Sequence, residues 1–332
     1  MNVRQLFDSF KGKKILVIGD VMLDRYIIGN VQRISPEAPV PILEMKNEEE
    51  RLGGAANVAL NLISLGAQVV LASVVGNDSH GKRILELCDL NNIGCNTILQ
   101  LNSRPTTVKT RIIGNKQHLL RVDSEVNEYL NEFDEKKFLD HILPSVTCQF
   151  DAVIFQDYNK GLLTTKIIEE LILRCKQENI YTTVDPKLKN FYCYRGVTLF
   201  KPNLKELKEG TGLVFNYPSE RQIFEKAILQ VNKKINNSLT FVTLSEYGVA
   251  ITDHSSVEYI DAHLRTIADV SGAGDTVIAV ATLCLCSGCS IKEIAQISNV
   301  AGGIVCEKSG VVSITCSELI EEIEKLFNPN LV

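Results

Sequence analysis

The segment Asp269-Val-Ser-Gly-Ala-Gly-Asp275-Thr276 sets small residues and two carboxylates just ahead of a long apolar stretch. Small residues let backbone amides approach an anion, and a helix starting there adds unpaired N–H groups and a positive dipole end. Gly272, Ala273 and Gly274 would then face negative charge developing on a group in transfer. Asp275, at the helix entrance, could take a proton from a substrate hydroxyl. The same residues also fit a plain turn closed by a carboxylate cap. Gly53-Gly-Ala-Ala-Asn57-Val-Ala59 repeats the arrangement earlier in the chain. Gly53, Gly54 and the Asn57 amide offer the oriented donors and acceptors that a sugar requires. A tight turn with a buried amide accounts for them equally.

Such segments need a frame. Ile15 to Gly19 and Val69 to Val75 read as buried strands, as do Ala152 to Phe155, Tyr181 to Val184, Val197 to Phe200 and Leu239 to Leu244. Helical periodicity covers Gly54 to Leu65, Ser79 to Asn91, Thr164 to Gln177 and Ser219 to Lys234, and the chain after Asp275 is helical. Alternating strands and helices predict an α/β fold with a mainly parallel sheet covered by helices on both faces. Two strand-like stretches, 26–44 and 106–122, have no helix between their strands and predict a small β-sheet lid on a single domain spanning 1–332. Asp20 and Asp24 follow the first strand, where ligand crevices form.

Composition narrows the partners. The net charge of −5 and the absence of a long basic run argue against nucleic acid. No apolar stretch reaches the ~20 residues a membrane span needs, and Ile15 to Ile18 is too short for a leader. Ten scattered cysteines without an export signal predict reduced thiols in the cytoplasm. Cys286-Ser-Gly-Cys289 lacks a second ligand pair for zinc. Gly76-Asn-Asp-Ser-His-Gly81-Lys82 has phosphate-loop spacing, but Arg83 stands where a hydroxyl should meet Mg²⁺.

The early G-G-x-x-x-N-x-A and the late D-x-x-G-A-G-D together resemble the paired signatures of the ribokinase-like carbohydrate kinases; Val270 departs from the threonine many members carry. The resemblance covers nearly the whole chain. It implies Asp275 as base, the Gly272, Ala273 and Gly274 amides as anion hole, and ATP with Mg²⁺, a monovalent cation being a further candidate. Asn203-Leu-Lys-Glu206 resembles the family's N-x-x-E, placing Asn203 and Glu206 at the nucleotide with Glu206 on the metal through water, although Asn203 also reads as a helix cap. Lys187, in Asp185-Pro-Lys187, would steady charge during transfer. Ser245 and Gly248 resemble the turn that carries the ATP phosphates, and Asn299 and Gly303 the adenine side.

Asp20-Val-Met-Leu-Asp24-Arg25-Tyr26, the Arg33 to Pro41 stretch and Asp157-Tyr-Asn-Lys160-Gly161 are similar to the heptose-7-phosphate kinases of lipopolysaccharide-heptose synthesis. That implies a sugar phosphate whose hydroxyls meet Asp20, Asp24 and Asn57, with Lys160, Arg111 and Arg121 as candidates for its existing phosphate. Solvated surface charge is the competing account of these basic residues. Some heptose kinases carry a nucleotidylyltransferase half. The five histidines here include no H-x-x-H pair, so a kinase-only protein is expected. The lid's second face implies a partner subunit and hence a homodimer. Phosphorylation of another sugar, such as fructose 6-phosphate or ribose, and a catalytically inactive sugar- or nucleotide-binding regulator are the competing readings. A dinucleotide-dependent oxidoreductase fits less well, since no G-x-G-x-x-G follows the first strand.

Overall fold

Lys14–Gly19 (β1) is apolar on both sides, and five of its six residues are buried. Ile15 and Val17 enter one core layer, Leu16 and Ile18 the other, so β1 must lie inside a sheet covered on both faces. The computed structural model describes residues 3–263, 265–308 and 310–327. Before β1 comes Val3–Phe10 (α1). After it the chain runs through Val21–Ile34 (β2), Pro41–Gly54 (β3), Ala55–Ser64 (α2), Gln68–Gly76 (β4) and Ser79–Leu90 (α3). Next are Ile98–Leu101 (β5), Val108–Gly114 (β6), Gln117–Ser124 (β7), Glu132–Ile142 (α4), Ala152–Gln156 (β8), Thr165–Gln177 (α5) and Tyr181–Asp185 (β9). The remainder is Leu199–Phe200 (β10), Leu204–Thr211 (α6), Arg221–Ile235 (α7), Leu239–Thr243 (β11), Val249–Thr252 (β12), Val257–Ile260 (β13), Ala273–Cys286 (α8), Ile291–Cys306 (α9) and Cys316–Phe327 (α10).

Among the described residues β13, β12, β11, β10, β9, β8, β1, β4 and β5 form one sheet in that order. It is parallel from β5 to β11 and antiparallel only at the β11–β12–β13 edge. The chain leaves β1 toward β4 and β5, then returns to β8 on the other side of β1. The reversal opens a crevice at the carboxyl ends of β1 and β8. This is the expected α/β architecture. Helices α1 and α4 went unread in the sequence; α4 is opened by Asn131, whose side chain accepts the Asp134 amide at 2.9 Å.

The lid is a separate sheet in the order β3, β2, β6, β7. It reaches further than 26–44 and 106–122. Val21 pairs with Gly54 at its root, so its first two strands begin and end beside Asp20 and α2. The Lys46 to Arg51 run is too charged to read as a strand, but Asn47 to Arg51 pair residue by residue with β2, Lys46 being passed over at a register shift, and this pairing overrides the weak propensity. Register divides the lid into two faces. Asp24, Tyr26, Lys109, Arg111, Arg121 and Asp123 share one, with the Arg51 and Arg111 guanidinium groups 4.8 and 5.2 Å from the Tyr26 ring centre. Ile27, Ile112, Leu120 and Val122 share the other.

Three parts of the chain meet at Asn61, a fully buried amide on α2. It donates to Asn57 O at 2.9 Å and accepts from Thr276 Oγ1 at 3.0 Å and Ile314 N at 3.2 Å. Asn61→Leu should therefore cost about 1–3 kcal/mol, because the Ile314 amide is left buried without an acceptor. Urea denaturation checks this; an unchanged midpoint would show that the network contributes nothing.

Candidate active site

The carboxyl ends of β8, β9, β10 and β11 and the first turn of α8 converge on a cleft of about 430 Å³. Tyr158, Asp185, Lys187, Lys201, Asn203, Ser245, Gly272, Gly274 and Asp275 contribute to its wall. The two glycine segments, some 200 residues apart in sequence, close against each other here. Gly272 caps α8 at φ +82°, and a side chain on it would come within 3.0 Å of Asn57 Nδ2. A left-handed backbone and that approach leave glycine as the residue that fits. Ala273 N donates to Val270 O at 3.3 Å, so of the three expected anion-hole amides those of Gly272 and Gly274 remain for a ligand.

Asp275 is 6% exposed and sits in the first turn of α8. Its Oδ2 accepts from Asn57 Nδ2 at 2.6 Å, and its Oδ1 from Tyr158 Oη at 2.7 Å and Gln156 Nε2 at 2.9 Å. Burial pushes the carboxyl up to about 6, against the pull of the Asn57 and Tyr158 hydrogen bonds and with a further push from Asp185. It is thus ionised at neutral pH yet titrates near it, as suits a group that must both hold and release a proton. Gln156 and Tyr158 were not singled out as site residues in the sequence. Gln156 sits at the end of β8 and Tyr158 two residues beyond it. Gln156 Oε1 is buried without a hydrogen-bond partner among the described residues, an open acceptor beside Asp275.

Across the cleft, Asn203 caps α6 and exchanges bonds with Glu206: Glu206 N to Asn203 Oδ1 at 2.8 Å, Asn203 N to Glu206 Oε2 at 2.9 Å. The helix-cap account of Asn203 therefore holds, and Asn203 also lines the cleft. Glu206 also pairs with Lys187. Burial alone would lower the Lys187 ammonium, but Asp185 and Glu206 outweigh it and hold it above its ordinary value. Lys201, missed in the sequence, is 2% exposed and bonds Asp185 Oδ2 at 2.9 Å. Its position at the end of a strand before Pro202 was the available signal. Two ammonium groups and a helix N-terminus thus surround the space in front of Asp275, an environment for a polyanion.

The residues expected at the sugar are in part differently employed. Asp20 accepts the amides of Tyr158 and Lys160 at 3.0 Å each and of Leu162 at 3.2 Å. About three of its roughly four acceptor positions are spent on backbone, so it chiefly holds the 158–162 loop. Burial raises its carboxyl, and those amides oppose the rise. Asp24 pairs with Arg111, and a side chain on Gly53 would collide with Asp24 Oδ2. Gly54 lies against the end of β1, where Ala55 N donates to Asp20 O at 3.0 Å. Arg121, with its side chain 58% exposed, bonds Asp123 at 3.0 Å, and Lys160 bonds Glu125 at 2.7 Å. Arg111 and Arg121, candidates for the substrate phosphate, each have a carboxylate partner. At the far side, Ser245 reaches the cleft, and Gly248 packs against the backbone of Ile260 and Ala262. Asn299 and Gly303 lie outside the cleft wall: Asn299 Nδ2 donates to Asp261 O at 2.9 Å, and Gly303 faces the Arg265 side chain.

Tyr158→Phe removes one donor to the ionised form of Asp275, so that carboxyl should titrate above its present value of about 6. Carboxyl ¹³C NMR titration of the variant reads the change directly; an unmoved titration would show that the Tyr158 bond does not hold the charge.

A family model described as pfkB family carbohydrate kinase matches residues 12–317. The bifunctional protein HldE of Helicobacter hepaticus is 38% identical over 313 residues, covering 94% of this chain and 64% of that protein. HldE of Helicobacter pylori strain HPAG1 is 39% identical over 307 residues, covering 92% and 65%. The chain thus spans less than two thirds of the length of these relatives. Phosphofructokinase-2 from Escherichia coli in complex with substrates and products superposes with a TM-score of 0.76 at 17% identity, covering 95% of this chain and 99% of that one. Arabidopsis thaliana ribokinase complexed with ribose and ATP gives 0.72 at 16%, covering 94% and 99%. These two share the fold, a large mostly parallel sheet with a small second sheet. The chain belongs to the pfkB family of carbohydrate kinases.

Proposed function

We propose that the chain acts as one kinase unit that transfers the γ-phosphate of ATP to O1 of D-glycero-D-manno-heptose 7-phosphate, giving the 1,7-bisphosphate for ADP-heptose and lipopolysaccharide synthesis in the cytoplasm. The observation that carries the transfer is Asp275: a buried carboxylate, held by three donors and raised to about 6, at the N-terminus of α8 and beside the Lys187–Lys201 wall. Asp275 takes the O1 proton as O1 attacks the γ-phosphorus. The bond from that phosphorus to the β,γ-bridging oxygen breaks, and ADP leaves with its electron pair. The Gly272 and Gly274 amides and the Lys187 ammonium meet the charge on the transferring group.

Among the described residues no cluster of three or more His, Cys, Asp or Glu side chains forms a cage for a metal ion. That suits Mg²⁺, which takes most of its ligands from water and nucleotide phosphates. Both Glu206 oxygens already have protein partners, so Glu206 fits a contact through water better than direct ligation. When bound, Mg²⁺ would neutralise phosphate charge.

The sugar assignment is supported by the Asp20 to Tyr26, Arg33 to Pro41 and Asp157 to Gly161 segments and by similarity to the HldE proteins. A coupled ADP-release assay tests it: kcat/KM for heptose 7-phosphate should exceed that for free heptose and for fructose 6-phosphate. Activity should fall below about pH 6 as Asp275 gains its proton, and Asp275→Asn should lower kcat by about 10²–10⁴. Fructose 6-phosphate matching the heptose phosphate would overturn the sugar, and near-normal turnover by a folded Asp275→Asn variant would overturn the base.

The chain is further proposed to pair with a second copy through the lid. Leu120 and Val122 are 57% and 49% exposed and share the outer face with Ile27 and Ile112, an apolar strip that a single chain leaves in water. Light scattering should give twice the chain mass, and Leu120→Glu with Val122→Glu should halve it. A monomer at micromolar concentration would sink the proposal.

A further inference from the structure

Four cations lie together where the inner face of the lid meets the 158–162 loop: Lys109, Arg111, Arg121 and Lys160. Three have a carboxylate of their own. Arg111 pairs with Asp24, Arg121 with Asp123 at 3.0 Å, and Lys160 with Glu125 at 2.7 Å. Lys109 is the exception. It is half-buried on β6, opposite Asp24 on one side and Asp123 on the other, and it makes no ion pair or side-chain hydrogen bond among the described residues. The carboxylates in its register are bound elsewhere, and the neighbouring Lys160 carries the same charge. Burial lowers its ammonium and Lys160 lowers it further, while Glu125, Asp123 and Asp24 pull the other way from a distance without bonding it. A half-buried cation crowded by another and lacking an acceptor is an unfavourable arrangement unless an anion arrives to complete it.

The position suits one kind of anion. Register puts Lys109 on the lid face that carries Asp24, Tyr26 and Arg111, and Arg51 on that same face comes near Gly310, whose amide bonds Asp269. This face therefore overlooks the Asp269 to Asp275 turn. Lys160 belongs to the loop whose amides bind Asp20 and whose Tyr158 bonds Asp275. An anion between Lys109 and Lys160 would belong to the same bound molecule as a hydroxyl at Asp275, but at its far end.

We infer that Lys109, with Lys160 beside it, binds the phosphomonoester at the distal end of the sugar substrate and is the side chain that selects phosphorylated over free sugar. The inference rests on the reading of the substrate as a sugar phosphate. It adds Lys109 to the earlier candidates Arg111, Arg121 and Lys160, each of which already holds a carboxylate. Three donors on one ammonium match the three terminal oxygens of a phosphomonoester, and the bond is charge-assisted on both sides.

The test compares wild type, Lys109→Met and Lys109→Arg on heptose 7-phosphate, fructose 6-phosphate and the two free sugars. Steady-state kinetics are measured with ATP, and calorimetric titration of each sugar without ATP reads the same contact where turnover is absent. Lys109→Met should lower kcat/KM or affinity for the phosphorylated sugars about 10–100-fold, mainly through KM, the worth of one charge-assisted contact. Free sugars should change less than about 2-fold, and Lys109→Arg should recover most of the loss. Equal losses on phosphorylated and free sugars would mean that Lys109 only supports the lid, and no loss would mean that it does not touch substrate. Either result overturns the inference. A wild type that binds and turns over free sugars as well as their phosphates would instead overturn the sugar-phosphate reading itself.

Discussion

A carboxylate kept charged inside the protein is the constraint on which the site depends. With its carboxyl raised from 3.8 to about 6, ionised Asp275 costs the fold about 3 kcal/mol. The cost is absent below about pH 4, where the group is protonated in both folded and unfolded chains, and complete above about pH 6. Without the donors of Asn57, Tyr158 and Gln156 it would be larger. Each comes from a different direction: Asn57 from α2, Gln156 from the end of β8, and Tyr158 from the loop that follows. The proposed base is therefore correct only when the sheet, both glycine turns and the loop are in register.

The same logic repeats one layer out. The loop bearing Tyr158 is gripped by Asp20 from the end of β1, and by Asp157, which accepts from Tyr194 Oη at 2.7 Å and Asn190 Nδ2 at 2.9 Å. Both carboxylates are buried, and Asp157 is pushed up to about 6, first by burial and then by Asp20. Asn57 is in turn located by Asn61, which ties α2 to α8 and to the Ile314 segment. A chain of buried polar groups, nearly all satisfied, thus runs from the cleft into the core. Such networks are unforgiving: each member is worth little in excess, but its loss strands another in a place without water.

Much of this was legible in the sequence because backbone chemistry writes itself in residue type. Glycines at 53, 54, 272 and 274 announced close approach, strand ends at Asp20 and Asp185 announced a crevice, and Asn203 with Glu206 announced a capped helix. What stayed hidden were pairings made across the fold. Nothing local reveals that Arg111 is spent on Asp24, or that Lys201 rather than a more exposed lysine is buried against Asp185. Nor does sequence alternation show that Lys46 to Arg51 is strand, since its charges look like a solvated loop until β2 lies beside them. For Asn299 and Gly303, which resemble the adenine side, the contacts that sequence does not reveal are those with Asp261 and Arg265.

The lid shows how pairing converts a charged surface into a selective one. Its inner face carries cations at Arg51, Lys109, Arg111 and Arg121, enough to attract anions generally if all were free. Carboxylates at Asp24, Asp123 and Glu49 quench three of them and fix their side chains, which costs little because the pairs form within or across neighbouring strands. What remains on this face, among the described residues, is one ammonium without a bonded carboxylate, in a partly dry place, and its attraction for an anion is stronger there than in water because the surroundings screen it less. The outer face does the reverse, presenting Leu120 and Val122 where charge would resist burial. Because side chains alternate across each strand, one stretch of 108–124 serves both faces, and a one-residue slip in register would exchange the two roles.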